Sequence, residues 1–339
     1  MDILRFVWGQ YGNPTHMLSA VIFFALGLVL LIKGGDWFVD GATALARRFR
    51  LPDIIVGATV VSIGTTLPEV MVSVTGALGG QGSMAYGNAI GSIVCNTALI
   101  AAISVSVNPG MVNTKTLTVP VLFFFGAAAL YCVAAYAFGR FDFWVGLLLL
   151  VIFGVYMVLT VRQGFKNPEA AEPQEEAESA GPLPLWKALL MLVLGAACIA
   201  IGANLLVNHG AFIAKGLGVP ETVIALTFVA LGTSLPELVT TITSLRKGHA
   251  ALGIGNVIGA NIFNLVLVSG TSVALAPFEV PEGNVLFGRN SSLVLDIPLM
   301  LLAMLLLTVP ALAKKKLSRW QGICLLTLYT GFCALQFAL

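Results

Sequence analysis

Residues 64–69 read GTTLPE, and residues 232–237 read GTSLPE. Both hexapeptides lie in long apolar stretches, and each places a carboxylate directly after a proline, at Glu69 and at Glu237. A proline removes a backbone N–H and strains the preceding turn of a helix, so we expect each motif to break its helix and to free backbone carbonyls. A carboxylate in hydrocarbon costs at least about 3 kcal/mol unless it is compensated. Two copies of such a combination indicate a function.

The composition assigns these motifs to a membrane protein. Of the 339 residues, 58% are hydrophobic and 10% are charged, and the mean hydropathy is +0.95. Such a chain cannot cover a soluble core with charge, and apolar runs of about 20 residues, enough to cross a bilayer, recur along its length. We predict an all-α polytopic membrane protein that contacts the lipid bilayer, with no nucleic-acid partner and no obligatory protein partner.

Ten spans are predicted from the apolar runs and the Gly, Pro and charged residues between them. They form a first set of five in residues 1–163 and a second set in residues 185–339. Residues 164–184 between them are rich in Glu and Pro and are expected to be a mobile acidic linker. The predicted spans cover 17–49, 52–78, 84–107, 116–138, 142–163, 185–216, 220–245, 250–273, 290–309 and 318–337.

The two sets are copies of one another. Residues 51–100 align with residues 219–268 at a constant shift of 168, with 16 identities in 50 positions. The matches concentrate in the LPE motif and in a second block, GNAIGSIVCN at 87–96 and GNVIGANIFN at 255–264. Because five spans are an odd number, the second copy is expected to cross the membrane in the opposite direction.

The basic residues agree with this inversion. Arg47, Arg48 and Arg50 follow span one, whereas Arg246 and Lys247 follow span seven. With both termini outside, 13 of the 18 Lys and Arg residues lie on the inner side and four on the outer side. The sequence therefore predicts outside N- and C-termini and a cytoplasmic linker, in the plasma or inner membrane of a bacterial or archaeal cell.

Three charged residues share one face near the end of span one. Lys33, Asp36 and Asp40 are spaced i, i+3 and i+7. We interpret them as an interfacial cluster that forms ion pairs, with a role in ion access as the alternative.

Oxygen-bearing side chains surround each glutamate. Hydroxyl, amide and carboxylate oxygens are hard ligands that suit calcium or sodium and not soft transition metals. Several are spaced i, i+4 and so project from one helical face. No CxxC or HExxH pattern is present, so no resident cofactor is expected. The neutral candidates are Thr65, Thr66, Ser92, Asn96, Thr233, Ser234 and Asn264.

Two further asparagines and several glycines are assigned structural roles. Asn88 and Asn256 lie near the starts of spans three and eight, where they are expected to cap or brace the backbone. The glycines of the two blocks are typical of close helix packing and of bends in the backbone; they are Gly64, Gly87, Gly91, Gly232, Gly255 and Gly259.

The paired GT[ST]LPE and GNxIG(x)4N blocks resemble the two alpha-repeats of the calcium/cation antiporter superfamily, and within it the prokaryotic sodium/calcium exchangers. The resemblance implies cation sites among spans two, three, seven and eight, with spans one and six sliding against them. It also implies the following ligands: Glu69, Thr65, Thr66, Ser92, Asn96, Glu237, Thr233, Ser234 and Asn264, with the backbone carbonyls of Ser62 and Ala230.

The chain departs from this pattern at several positions. Ala260 stands where the first copy has Ser92, so one hydroxyl ligand is missing from the second copy. Ile93 stands where the second copy has Asn261. By the resemblance, Asn264 occupies a position that is Asp in potassium-dependent members, which argues against potassium transport.

Two carboxylates give a formal charge of −2, which one calcium ion or two sodium ions would neutralise. We predict a secondary active antiporter, not an enzyme, that exchanges sodium for calcium and extrudes calcium. A proton-coupled exchanger with the same glutamates and a cation channel remain alternatives. An intramembrane enzyme is disfavoured because neither GxSxG nor HExxH occurs.

Overall fold

The computed structural model describes residues 14–166, 183–216, 232–281, 285–286 and 288–338. The chain in these ranges folds into ten helical segments, of which eight are long and apolar enough to cross a membrane. The remaining two are the seventh, which is preceded by residues outside the described ranges, and the tenth. The segments are α1 Pro14–Phe49, α2 Asp53–Leu78, α3 Gly82–Val107, α4 Thr114–Phe138, α5 Phe143–Lys166, α6 Leu185–Gly216, α7 Leu235–Arg246, α8 Ala250–Leu275, α9 Ser292–Lys314 and α10 Arg319–Ala338.

The predicted span boundaries agree closely with these helices. The sixth span, predicted at 185–216, coincides with α6. Of span seven, predicted at 220–245, only the part from residue 232 onward is described, and most of the acidic linker lies outside the described residues as well. Ten transmembrane crossings therefore remain a prediction.

Short antiparallel ladders join the loops. The strands pair as β1 Gly110–Met111 with β6 Lys316–Leu317, β2 Arg140–Phe141 with β3 Phe278–Glu279, and β4 Val285–Leu286 with β5 Arg289–Asn290. The shift of 168 that aligns the two copies carries β1 onto β3. Because β1 precedes α4 and β2 follows it, the β1–β6 and β2–β3 ladders lie at opposite ends of α4.

Helices α1 and α6 pack against each other antiparallel through glycines. A Cβ atom at Gly27 would lie 2.9 Å from the Gly202 carbonyl oxygen, and one at Gly34 would lie 3.0 Å from the Gly195 carbonyl oxygen. Partner numbers fall as α1 numbers rise, so the helices run in opposite directions. The shift of 168 carries Gly27 to Gly195 and Gly34 to Gly202. Each glycine of α1 therefore contacts the α6 glycine that is equivalent to the other glycine of α1.

The buried apolar side chains of the described residues form two clusters. The larger joins α3, α4, α5, α8, α9 and α10, with Tyr131 and Phe263 among its largest members. The smaller joins α1 and α6 to the first half of α2, around Phe38 and Ile199. In its most apolar stretch, α8 is 89% buried, compared with 22% for α1 and 28% for α6. Helices α1 and α6 therefore lie as a pair at the side of a bundle centred on α8.

Helix α8 crosses α2 at backbone contact. A Cβ atom at Gly255 would lie 2.3 Å from the Ile54 carbonyl oxygen, and one at Gly259 would lie 2.3 Å from Ser62 Oγ. Only glycine fits at these distances, which confirms the predicted close packing at both positions. At Gly87 and Gly91 the prediction of close packing is wrong, because a Cβ atom there would meet no atom of the described residues within 4 Å. The crossing places Ser62, at the start of the first motif, directly against the second copy.

Candidate cation site

The first motif lies within a continuous helix, so the predicted break at this motif is wrong. The α-helical turns run from Ser62 to Leu78 through Pro68, and the irregular backbone lies upstream, as a π-helical segment at Gly57–Val61. Pro68 costs one hydrogen bond to the carbonyl four residues earlier, a loss that a packed helix tolerates. Gly64 does not open the backbone; a Cβ atom there would lie 2.8 Å from the Phe38 ring.

The second motif does lie at a helix terminus. Helix α7 begins at Leu235, and Pro236 occupies its first turn, where the missing N–H has no helical partner to lose. Thr233 and Ser234 form the preceding turn, with Thr233 half-buried and the Ser234 side chain buried. The two motifs therefore differ in backbone conformation, because the first lies inside an α-helix and the second lies at the start of one.

The two glutamates are fully buried, and the structure brings the two motifs together. Thr66 Oγ1 donates to Glu237 Oε1 at 3.5 Å, a contact between the two copies. Thr66 lies one turn before Glu69 on α2, so Glu69 and Glu237 occupy the same part of the interior.

Half of the buried side-chain polar atoms that lack a hydrogen-bond partner among the described residues lie at predicted ligand positions. Neither carboxylate oxygen of Glu69 has a hydrogen-bond partner among the described residues, and the same holds for Glu237 Oε2, Ser234 Oγ and both amide atoms of Asn96 and of Asn264. Buried polar groups are nearly always satisfied. Their combination of two carboxylates with neutral oxygens fits a calcium or sodium ion, which would supply the missing interactions.

Both predicted amide ligands begin π-helical segments. Asn96 opens the segment Asn96–Ala101 in α3, and Asn264 opens the segment Asn264–Val268 in α8. The shift of 168 carries one asparagine onto the other. Such segments recur at functional sites, and the duplication of this local irregularity supports a shared role for the two positions.

Asn256 connects the copies more extensively than the sequence indicated. Its Oδ1 accepts from Thr65 Oγ1 at 3.2 Å and from Ser62 Oγ at 3.3 Å, both in the first copy. Its Nδ2 donates to Thr240 Oγ1 at 2.9 Å. The Thr240 hydroxyl in turn has the Pro236 carbonyl oxygen at 2.8 Å and the Glu237 carbonyl oxygen at 3.1 Å as acceptors. Asn256 therefore holds a candidate ligand of one copy against the helix that carries the glutamate of the other. The signal for it was its duplication in both copies, but Thr240 has no polar counterpart and was missed.

Asn88 braces the backbone of the first motif, as predicted. Its Nδ2 donates to the Glu69 carbonyl oxygen at 3.2 Å and to Ser73 Oγ at 2.7 Å. The two equivalent asparagines thus differ: one holds the backbone at its own copy's glutamate, and the other reaches across to the first copy.

The remaining predicted ligands have varied surroundings. The one hydroxyl proton of Ser62 has three acceptors within reach: the Gly57 carbonyl oxygen at 2.8 Å, the Asn256 carbonyl oxygen at 2.9 Å and Asn256 Oδ1 at 3.3 Å. The Thr65 hydroxyl has the Ser62 carbonyl oxygen at 3.4 Å as an acceptor besides Asn256 Oδ1. Ser92 is buried in α3. Ala230 lies outside the described residues.

The candidate site contains few strong metal ligands. Among the described residues, no group of three or more His, Cys, Asp or Glu side chains is placed to hold a metal ion. The anionic charge of the candidate site therefore comes from two glutamates surrounded by hydroxyl and amide groups. That ligand set favours hard cations over zinc or copper.

Replacing Asn256 tests its positioning role. We expect Asn256→Ala to raise the calcium concentration for half-maximal binding about two- to tenfold, because Thr65, a candidate ligand, loses its hydrogen bond to the second copy. A buried hydrogen bond contributes about 0.5–1.5 kcal/mol, and 1.4 kcal/mol is a factor of ten. Calcium-dependent thermal stabilisation of the purified protein measures the effect. Asn208→Ala, at an exposed amide pair on α6, serves as the control. An unchanged calcium dependence in Asn256→Ala would contradict the assigned role.

Comparisons with known proteins agree with the architecture and its duplication. The profile of the family described as "Sodium/calcium exchanger protein" matches residues 19–162 and 187–338. The chain is 31% identical to the sodium/calcium exchanger MaX1 of Methanosarcina acetivorans, over 92% of this chain and 97% of MaX1. It is 33% identical to the uncharacterized membrane protein MJ0091 of Methanocaldococcus jannaschii, over 92% of this chain and 96% of that protein.

A solved structure shares the fold. The sodium-calcium exchanger NCX_Mj superposes with a TM-score of 0.78 at 31% identity, covering 94% of this chain and 98% of NCX_Mj. Long apolar helices and these matches define an integral membrane protein of an antiporter family. The chain belongs to the sodium/calcium exchanger family.

Proposed function

We propose that this protein is a secondary active antiporter that exchanges sodium for calcium by alternating access and extrudes calcium from the cell. The observation that carries the proposal is the concentration of unpartnered, buried oxygens at Glu69, Glu237, Asn96, Asn264 and Ser234. The likeness to MaX1 and NCX_Mj, both named as sodium/calcium exchangers, supports the choice of ions.

The charge of the site supports obligatory exchange. One calcium ion or two sodium ions neutralise the two carboxylates, so occupancy by one kind of ion excludes the other. An empty site would carry two unpaired buried charges through the membrane, which is costly. The empty protein therefore resists switching sides, and net leakage is suppressed. The proposed ligands are Glu69, Glu237, Thr65, Thr66, Thr233, Ser234, Ser92, Asn96 and Asn264, with the carbonyls of Ser62 and Ala230.

The packing of α1 against α6 supports the alternating movement. The two helices contact each other through an antiparallel glycine seam and belong to the smaller apolar cluster, which also includes residues of α2 and α8. A largely apolar groove of about 610 Å³ separates part of α6 from α2 beside the first motif, lined by residues that include Ile63, Leu67, Met71, Val193 and Ala197. Helices α1 and α6 would slide as a pair and expose the site to one side and then to the other.

The proposed topology follows from the duplication. Ten crossings form two inverted sets of five, in residues 1–163 and 185–339, and place both termini outside and the linker 164–184 in the cytoplasm. The antiparallel α1–α6 contact and the equivalent ladders at opposite ends of α4 support the inversion. The membrane would be the plasma membrane of a prokaryotic cell.

A gradient experiment tests the coupling ion. Proteoliposomes that contain the purified protein are given external calcium under one of three conditions: sodium inside with potassium outside, a pH gradient alone with potassium on both sides, or potassium on both sides with no gradient. We expect uptake of radioactive calcium under the sodium gradient at a rate at least about tenfold above the other two, because both ions compete for the same two carboxylates.

The other arms decide between the alternatives. Uptake driven by a pH gradient and not by sodium would identify a proton-coupled exchanger that uses the same glutamates. Calcium flux that needs no counter-ion and carries an ohmic current would identify a channel. Either outcome would overturn sodium/calcium exchange.

A further inference from the structure

A cluster of charges joins α1 to the turn that follows α7. Lys247 Nζ lies 2.7 Å from Asp40 Oδ1 and 3.6 Å from Asp36 Oδ1, and it donates to the Asp36 carbonyl oxygen at 3.0 Å. All three side chains are partly buried. The prediction that Asp36 and Asp40 form ion pairs is therefore confirmed, but their partner is Lys247 from the other half of the chain and not Lys33, which forms no ion pair with either in the described part of the chain.

The cluster lies where α1 is packed most closely against α7. A Cβ atom at Gly35 would lie 2.8 Å from Val239 Cγ1 and 2.9 Å from Thr243 Oγ1. Helix α7 carries Glu237 at its first turn. The ion pairs therefore connect the α1–α6 pair directly to a helix of the candidate site.

The equivalent junction in the second copy lacks these charges. The shift of 168 carries Asp36 and Asp40 to Asn204 and Asn208, which hydrogen bond to each other at 2.9 Å. Lys247 corresponds to Gly79. The two positions have the same backbone conformation, with φ −88° and ψ 5° at Lys247 and φ −78° and ψ 7° at Gly79. The backbone conformation of this turn is thus the same in both copies, whereas the charged residues are present only at the junction of α1 with α7.

This asymmetry has an energetic consequence. If two inverted copies were identical, exchanging their conformations would convert one access state into the other at equal free energy. An ion pair at only one junction removes this degeneracy, because it is made in one arrangement of α1 and lost when α1 slides by more than a hydrogen-bond length. The partly exposed charges give it a modest strength.

We propose that Lys247, Asp36 and Asp40 form a latch that favours the described arrangement of α1 over the alternative access state and so sets the difference in apparent calcium affinity between the two sides of the membrane. The latch rests on the proposed sliding of α1 and α6. It lies on the side of the protein that carries the excess of Lys and Arg.

Sided calcium titrations test the latch. Apparent calcium affinity is measured from each face in oriented proteoliposomes. We expect Lys247→Gln to change the ratio of the two affinities about two- to fivefold, the shift that loss of a partly exposed ion pair produces in a two-state equilibrium. The charge swap Asp40→Lys with Lys247→Asp should restore the ratio. Arg246→Gln, at the exposed neighbouring position, should leave it unchanged.

A second variant tests the latch in the opposite direction by adding the charges to the junction that lacks them. Gly79→Lys with Asn204→Asp and Asn208→Asp installs the charges at the second junction, where the backbone already matches. We expect this variant to move the affinity ratio in the direction opposite to that of Lys247→Gln. Equal ratios in all of these variants and the parent protein would overturn the latch.

A distance measurement makes the test independent of transport. Spin labels at Phe49 on α1 and Val107 on α3, both exposed, are introduced after the five native cysteines are replaced by serine. We expect Lys247→Gln to raise a second distance population about two- to fivefold and the charge swap to suppress it. An unchanged distribution would overturn the latch even if sodium/calcium exchange is observed. Conversely, the parent protein could show no sodium/calcium exchange while Lys247→Gln still shifts the distance distribution. That result would overturn the proposed function and leave the latch in place.

Discussion

Glu69→Gln and Glu237→Gln are each expected to lower the initial rate of sodium-driven calcium uptake by more than about 100-fold, because each removes half of the charge that balances the cation. Both side chains are fully buried, and three of their four carboxylate oxygens have no partner among the described residues. Glutamine has nearly the same shape, so the loss would report charge and coordination rather than packing.

The same variants separate a binding role from a structural one. Removing an uncompensated buried charge is expected to leave the ion-free protein as stable as the parent, or more stable. The rise in unfolding temperature on adding calcium, which measures binding to the folded state, should disappear. Glu279→Gln, at an exposed position in β3, is the matched control and should transport normally. Retained uptake in both site variants would show that the two glutamates do not form the site.

Gly259→Ala is expected to disrupt the crossing of α2 and α8. The added Cβ atom would lie 2.3 Å from Ser62 Oγ and 2.6 Å from Ala58 Cα. The second of these atoms belongs to the backbone and cannot rotate away. Overpacking of this kind destabilises proteins by about 1–3 kcal/mol, so we expect a lower unfolding temperature. Displacement of Ser62 would also disturb its contact with Asn256 and reduce calcium uptake.

The control for this substitution is a glycine in α5. Gly154 lies at an exposed position, and a Cβ atom there would meet no atom of the described residues within 4 Å. Gly154→Ala should leave both the unfolding temperature and the uptake rate unchanged. If Gly259→Ala behaves in the same way, the close approach of α2 and α8 is not a requirement of the fold.

Much of the fold could be predicted because a helix that crosses the bilayer needs about 20 consecutive apolar residues, and such runs are visible in the sequence. Apolar length alone located α6 at 185–216, and the constant shift of 168 identified the duplication. The candidate ligands could be named because hydroxyl, amide and carboxylate groups are conspicuous in an apolar chain. The backbone at GTTLPE could not be predicted in the same way. Pro68 is compatible with either a kink or a continuous helix, and packing of Phe38 against Gly64 accompanies the continuous one.

The sequence by itself determined the class of protein, the duplication and the residue types of the candidate site, because membrane insertion and ligand chemistry depend on composition and local spacing. Only the tertiary structure decided which oxygens lack partners, that Asn256 joins the two copies, and that Lys247 pairs with Asp36 and Asp40. These features depend on contacts between residues about 200 positions apart, as in the separation of 191 between Thr65 and Asn256. Such contacts depend on how the helices cross, and the spacing of residues along the chain does not specify that crossing.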